Sequence, residues 1–398
     1  MKVTQAYEVI NAMQEQFFGT EEVTAITNEK EIIDLGNKIE SLDLMDKYVK
    51  ALVNHIGRVI FDTRVYVGQA PSVYMDGTEY GSITEKVRAE VPKARKNRSW
   101  DLQPNQNYVD GNFYQPEVKA KFFNEMDTWE IPMSFGEVQV KQSFNSATQM
   151  TAFFTMIENK VEMAITINNE NMVMAALRNF IAATIQTSFS DDLGGDYSGH
   201  TSVKAVNLLF EAKQRGVVQP TVTPQQALND LGFLKYAAYR IATYSDYLTR
   251  ASKVFNIGGT TKFTPRNMQR MVLLSDFARA ADVYLQSETF HNEFTKLPDA
   301  DHVSFWQGSG SNYSLESLSD IHANIRNPLD INDGTTVEVV ASGILGCIFD
   351  REALGVTNMN RRVKTREVSE AEFYTNFYKV DARYFNDYDE NFIVFFMA

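Results

Sequence analysis

One cysteine in 398 residues excludes an internal disulfide and any zinc site built on cysteines. That residue, Cys347, lies in the apolar run from Gly343 to Phe349 and reads as a buried small hydrophobe. No apolar run is long enough to span a membrane as a helix, and Met1 to Glu8 lacks the apolar segment of a secretory signal. The expectation is a protein of intracellular origin that enters no membrane. Positive charge is scarce too. Lys and Arg total 38 against 51 Asp and Glu, a net charge of −13, which disfavours a nucleic-acid reader with a basic face.

Catalytic signatures are equally thin. There is no phosphate loop, no Gly-x-Ser-x-Gly elbow and no His-Glu-x-x-His. Gly308-Ser309-Gly310-Ser311-Asn312 starts like a dinucleotide fingerprint but reaches Tyr313 where a glycine belongs, so it reads as a surface loop. Ile257-Gly258-Gly259-Thr260 reads as a helix C-cap and turn. His55, His200, His291, His302 and His322 are scattered. Asp299-Ala300-Asp301-His302 has ligand residue types, but a solvated loop is the better reading. Asp381, Asp387, Asp389 and Glu390 could imitate a carboxylate pair, yet no spacing singles out two of them. A charged turn between strands accounts for them. No catalytic, cofactor-binding or metal-ligating residue is assigned.

What the sequence does contain is a long helix. Ser146 to about Thr187 has no Gly or Pro, and Ser146-Ala147-Thr148-Gln149 reads as a capping box. Apolar or small residues recur at Met150, Phe153, Phe154, Ile157, Val161, Ala164, Ile165, Met172, Ala175 and Ala176, the helical period. Such a helix is roughly 60 Å long, while a compact chain of this size is only about 55 Å wide. It predicts a strut in an elongated or flat molecule. Asn168-Asn169-Glu170-Asn171 interrupts the pattern and marks a kink or a split. Met150, Met156, Met163, Met172 and Met174 suggest an adaptable groove, with core filling the commoner use.

Before this helix, residues 1–57 read as three short helices. Alternation from Val59 to Val67 predicts a strand. Tyr80–Val91, Glu117–Phe123 and Thr128–Phe135 read as extended. Residues 58–139 thus form a long β-excursion with a basic, polar tip, marginal in water unless covered. The tip cations Lys93, Arg95, Lys96 and Arg98, next to Trp100, admit three readings: a solvated loop, a single-stranded nucleic-acid contact, or a contact with an acidic patch on a neighbouring copy. The last is preferred, because the rest of the chain supplies the negative charge.

After the strut, Thr223-Pro224-Gln225-Gln226 opens a helix that should run to about Val254. Met271–Leu274 reads as a short buried strand, with short helices at Asp276–Leu285 and Glu288–Phe294. Strands follow at Val337–Ala341 and Ile344–Phe349. The end is β: Arg361–Val368, Phe373–Arg383, a turn at Asn386-Asp387, and Phe392–Met397.

This order of parts resembles that of tailed-bacteriophage major capsid proteins with the Hong Kong 97-type fold. The branch it is most similar to is that of short-tailed phages of Gram-positive bacteria. The stretches that carry the resemblance are Leu52–Ile60, Pro116–Phe123, Gly343–Ala353 and the closing Phe373–Phe396. The resemblance implies an α+β fold: an N-terminal arm (1–57), an extended β-hairpin loop (58–139) and a peripheral domain with the spine helix (140–222). An α/β axial domain (223–349), peripheral strands (350–384) and a return strand to the axial domain (385–398) would complete it. It implies a structural shell protein without enzyme activity or cofactors, assembling as hexamers and pentamers into an icosahedral capsid around double-stranded DNA that it binds without sequence preference. A separate scaffolding protein, the portal and head decoration proteins are the further candidate partners. The protein would be made in the host bacterial cytoplasm and reside in the virion. The leader of short helices is expected to stay uncleaved and to lie along neighbouring subunits. An encapsulin-type compartment and an acidic hydrolase are the alternatives.

Overall fold

The computed structural model describes, with short gaps, residues 70–73, 84–107, 115–123, 126–136, 147–189, 196–287, 300–306, 319–328 and 335–398. The helices expected in 1–57, the strand at Val59–Val67, the cap residue Ser146, the helix at Glu288–Phe294 and the glycine loop at Gly308–Tyr313 lie outside the described residues.

Helix α1 spans Ala147–Ser188, 42 residues, about 63 Å at the helical rise. The asparagine run does not break it. Asn168 donates its side-chain amide to the Ala164 carbonyl one turn back (3.0 Å), and Asn169 is fully buried. From Val173 to Ile185 the helix is buried on almost every side, which is why a one-sided apolar stripe fades there. Of the methionines, Met174 is buried, Met172 packs against the core and Met163 is exposed. Those described therefore do not line one groove.

Two sheets meet along this helix. The first is antiparallel, in the order β10 (Leu354–Val368), β11 (Phe373–Asn386), β3 (Met126–Gly136). Strand β10 has 15 residues, about 50 Å of extended chain. Its hairpin with β11 turns at Glu372, whose φ of 48° is left-handed. A register shift between Asn358 and Arg361 marks a bulge, which sharpens local twist. Arg361 approaches Glu162 of α1 at 4.0 Å, and Asn386 donates to the Ala176 carbonyl (3.2 Å).

The second sheet has five strands, in the order β4 (Ala205–Asn207), β12 (Phe392–Phe396), β9 (Ile344–Asp350), β5 (Gln269–Leu274), β6 (Asp301–Val303). All five residues of β12 and all seven of β9 are buried. Neither shows polar alternation, because both faces of the sheet are covered. On one face Phe392 stacks on Phe180 of α1 and Phe396 meets Phe189. On the other, Phe395 meets Tyr244 edge-on at 5.6 Å. Gly343 turns the chain into β9 at φ +73°, and a Cβ there would lie 1.9 Å from the Met397 carbonyl oxygen. A two-stranded hairpin, β7 (Ile321–Arg326) with β8 (Thr336–Ala341), packs on α1 through alternate buried residues of β7.

Between β4 and β5 lie three α-helices. Helix α2 (Leu208–Gln214) is capped by Asn207, which accepts from the Phe210 amide. The capping box at Thr223 forms as its sequence announces: Thr223 accepts from the Gln226 amide and Gln226 from the Thr223 amide. The helix it opens, α3 (Pro224–Ala227), is a single turn rather than a rod to Val254. Asp230 interrupts it by accepting from the Phe233 amide (2.9 Å), a side-chain cap that starts a new helix. That helix, α4, runs Leu231–Leu248. Ser252 then pairs with Lys262, so Gly258-Gly259 sit in the loop these residues close, not at a helix end. Helix α5 (Ser275–Ser287) follows β5. Asp301 and His302, read as a solvated loop, form the edge strand β6, where Asp301 accepts from the Ser72 amide (2.9 Å).

Candidate assembly site

The expected inter-subunit cations Lys93, Arg95, Lys96 and Arg98 lie outside the described residues. Their described neighbours Ala94 and Asn97 are exposed, and Trp100 is 95% exposed. The hairpin that carries this tip is described. It pairs β1 (Thr84–Ala89) with β2 (Val118–Phe123), Lys86 opposite Lys121 and Ala89 opposite Val118.

Period-two alternation gives this hairpin a charged face and an apolar face. Lys86, Arg88 and Lys121 share one, while Val87, Val118 and Phe122 fall on the other. The charged face is the one turned towards the body of the protein. Val87, Val118 and Phe122 are 60%, 59% and 61% exposed. The hairpin is therefore inverted relative to ordinary amphipathic packing, where the apolar face is the one buried.

The cause is an acidic turn between β11 and β12. The Asp387 amide donates to the Ala353 carbonyl (2.6 Å), and both Ile257 and Gly258 donate to the Tyr388 carbonyl. Tyr388 rests edge-on against Phe180. This anchoring leaves Asp387 fully buried and Glu390 nearly so. Lys121 reaches Asp387 at 2.8 Å and Asp389 at 3.0 Å. Lys86 reaches Glu390 at 2.6 Å, Glu352 at 3.1 Å and Asp387 at 3.2 Å. Arg88 pairs with Asp389 and lies 3.7 Å from Asp387. Lys262, from the loop closed by Ser252, adds a contact to Glu390 at 2.6 Å. Four cations thus face four carboxylates.

Burial raises the Asp387 carboxyl's pKa, but Lys121, Lys86 and Arg88 outweigh it and hold the group below its ordinary range. Burial likewise lowers the Lys86 pKa, and Glu390 and its neighbours reverse that into a net rise. Removing one member of a buried, paired set commonly costs about 3–5 kcal/mol, because the other charge is left uncompensated. The outlying Lys119–Glu117 pair at 3.6 Å is exposed on both sides and contributes little.

Three of the four carboxylates that could have imitated an acid–base pair are therefore ion-paired in this cluster. Asp381 is elsewhere, accepting from Arg362 and Thr128. Among the described residues no group of three or more His, Cys, Asp or Glu side chains could hold a metal ion, and no helix is long and apolar enough to cross a membrane. Cys347 is buried, and burial pushes its thiol well above the ordinary value.

Sequence comparison decides between the remaining readings. The family described as Phi29-like phage major capsid protein matches over residues 10–396. The chain belongs to the Phi29-like phage major capsid proteins. A capsid protein of this family is structural, not an enzyme, and its place is the virion. Comparison with curated proteins gave no match. Among solved structures, the capsid protein is similar to a chain of the Staphylococcus phage Andhra capsid, with 10% identity, 84% of this chain and 86% of that one covered, and a TM-score of 0.47. A chain in the structure of the head fiber and inner core protein of native bacteriophage P68 gives 11%, 85%, 88% and 0.49. One from the cyanophage P-SCSP1u capsid gives 9%, 85%, 91% and 0.40. The family match, not these likenesses, carries the assignment. The mixed α+β architecture of the capsid protein accords with it.

Proposed function

We propose that copies of this chain close into an icosahedral shell of hexamers and pentamers around double-stranded DNA. The observation that supports this reading is the outward apolar face of the β1–β2 hairpin. A face with three large exposed apolar side chains has a role when something covers it, and in a shell built of one chain the available cover is a second copy. Under this reading residues 58–139 are the extended loop and 140–222, with α1, the peripheral domain. Residues 223–349 form the axial domain, with β4 and α2 crossing into it. Residues 350–384 are peripheral strands, and 385–398 return through β12. Residues 1–57 act as an arm on neighbouring subunits.

Lys93, Arg95, Lys96 and Arg98 extend the same contact by meeting acidic groups of the adjacent copy. The net negative charge suits a wall along which packed DNA must slide. A separate scaffolding protein guides closure, the portal occupies one vertex, and synthesis takes place in the host bacterial cytoplasm. Electron microscopy of the purified chain, alone and co-expressed with a scaffold, tests the proposal. Closed shells are expected. A monodisperse monomer or dimer under every assembly condition overturns it.

A further inference from the structure

We infer that the ionic cluster around Asp387 is a positioning latch: it holds the charged face of the β1–β2 hairpin against its own chain so that the apolar face is offered to the next copy. An amphipathic hairpin beside a folded body has two ways to lie. The hydrophobic effect favours turning Val87, Val118 and Phe122 inward. In the structure they point outward, and the opposing contact is the set of ion pairs from Lys86, Arg88 and Lys121 to Asp387, Asp389 and Glu390. Asp387 is the keystone. It is fully buried and touches cations from both hairpin strands.

The approach of the hairpin is also restricted. No more than two residues separate β2 from β3, so the hairpin cannot translate far and its freedom is mainly a roll about its own axis. Phe123 meets Phe385 at 5.1 Å on the inner side, which places the pivot next to the cluster. Breaking the latch frees that roll, and the apolar face then buries itself in cis, where no second copy can reach it. The regulation of assembly rests on the shell reading above, but the orientation of the hairpin does not.

The chain itself supplies the reporter. Its one cysteine, Cys347, is buried, so a cysteine introduced at an exposed position is the sole reactive thiol while the body stays folded. Val118→Cys, in the unassembled full-length chain, is treated with a thiol reagent. Fast labelling is expected with the latch intact. Adding Asp387→Asn should slow labelling by roughly tenfold or more, the protection that burial confers, and should abolish assembly. Lys121→Met, which removes a cation from the other side, should do the same. Continued silence of Cys347 reports that the body is folded in each variant. Slow labelling with the latch intact overturns the inference. Unchanged or faster labelling on removing Asp387 and Lys121, with Cys347 still silent, overturns it as well, whatever happens to assembly. If the parent chain never forms shells but labelling slows as expected, the latch stands and the shell reading falls.

Discussion

Phe180, midway along the face that α1 turns to the central sheet, stacks on Phe392 with ring centroids 4.1 Å apart and planes 15° from parallel. Both rings are buried. The pair joins the long helix to the strand that completes the core. Phe392→Ala is expected to cost about 3–5 kcal/mol, the range for deleting a buried aromatic. Chemical denaturation of the unassembled chain measures it. A loss of only a few tenths would mean that the seam between helix and sheet is not closely packed.

Ala164→Pro tests whether α1 is one rod. Proline at 164 removes a helix hydrogen bond and clashes with the carbonyl four residues earlier, at a cost of about 3 kcal/mol or more. Insoluble or assembly-dead protein is expected. Shells of normal form from this variant would mean that the helix is already broken at that point.

Gly343→Ala combines two penalties. The left-handed φ costs about 1–2 kcal/mol for any residue with a Cβ, and the added carbon would meet the Met397 carbonyl oxygen at 1.9 Å. That oxygen is backbone and cannot swing aside without moving β12. The melting temperature should fall by several degrees or more, as about 1 kcal/mol already shifts it by a few degrees in a chain of this size. A melt equal to the parent's would contradict the turn geometry.

Docking of the β1–β2 hairpin should be flat across neutral pH. Asp387 has a folded pKa below 3.8, so its contribution is present above 3.8 and is lost as pH falls through the folded value. Lys86 has a folded pKa above 10.5, so its contribution is present below 10.5 and is lost as pH rises through the folded value. Asp350, pushed above 3.8 by burial, runs the other way and adds stability as it protonates. The remaining charges on the cluster are Arg88, Lys121, Lys262, Glu352, Asp389 and Glu390. Hydrogen exchange of 118–123, corrected for intrinsic rate, should show constant protection between about pH 5 and pH 9 and a loss only at the extremes. A step near neutrality would assign control to a different group.

Replacing Lys93, Arg95, Lys96 and Arg98 together with Ala should leave the melt of the unassembled chain nearly unchanged, since the proposed contact is with another copy and exposed charge pairs contribute little to stability. Assembly should weaken or go astray. Normal shells that fail to retain DNA would assign these residues to nucleic acid instead.

Long, regular elements were legible in the sequence because one period dominates each of them. The strut at 147–188, the strands around Val272, Ile348 and Phe377, and the closing strand all stand within a few residues of their expected places. The failures have local causes. The rod expected from Thr223 to Val254 ignored Asp230, a second cap inside the same apolar pattern. Strands β4 and β6, three residues each, are too short to show a period; tertiary pairing with β12 and β5 makes them strands. At the assembly site, the alternation of Lys86 and Arg88 with Val87, and of Lys121 with Ala120 and Phe122, was present in the sequence. The acidic turn that selects which face points inward lies some 270 residues away, beyond the reach of any local pattern. The carboxylates of that turn read only as a charged turn between strands, and nothing local to them names the hairpin cations they pair with.

Strand β12 is synthesised almost two hundred residues after β4, its parallel neighbour. It sits between β4 and β9, so among the described strands β4 has no partner until β12 emerges from the ribosome. The core sheet must therefore close after translation of residues 392–396, through contacts of very long sequence separation, which fold slowly. One consequence falls outside the finished particle. A polypeptide released early, from a damaged message or a stalled ribosome, lacks this wedge and has no complete sheet to present. Such fragments should be cleared as unfolded chains instead of entering a growing shell as defective tiles.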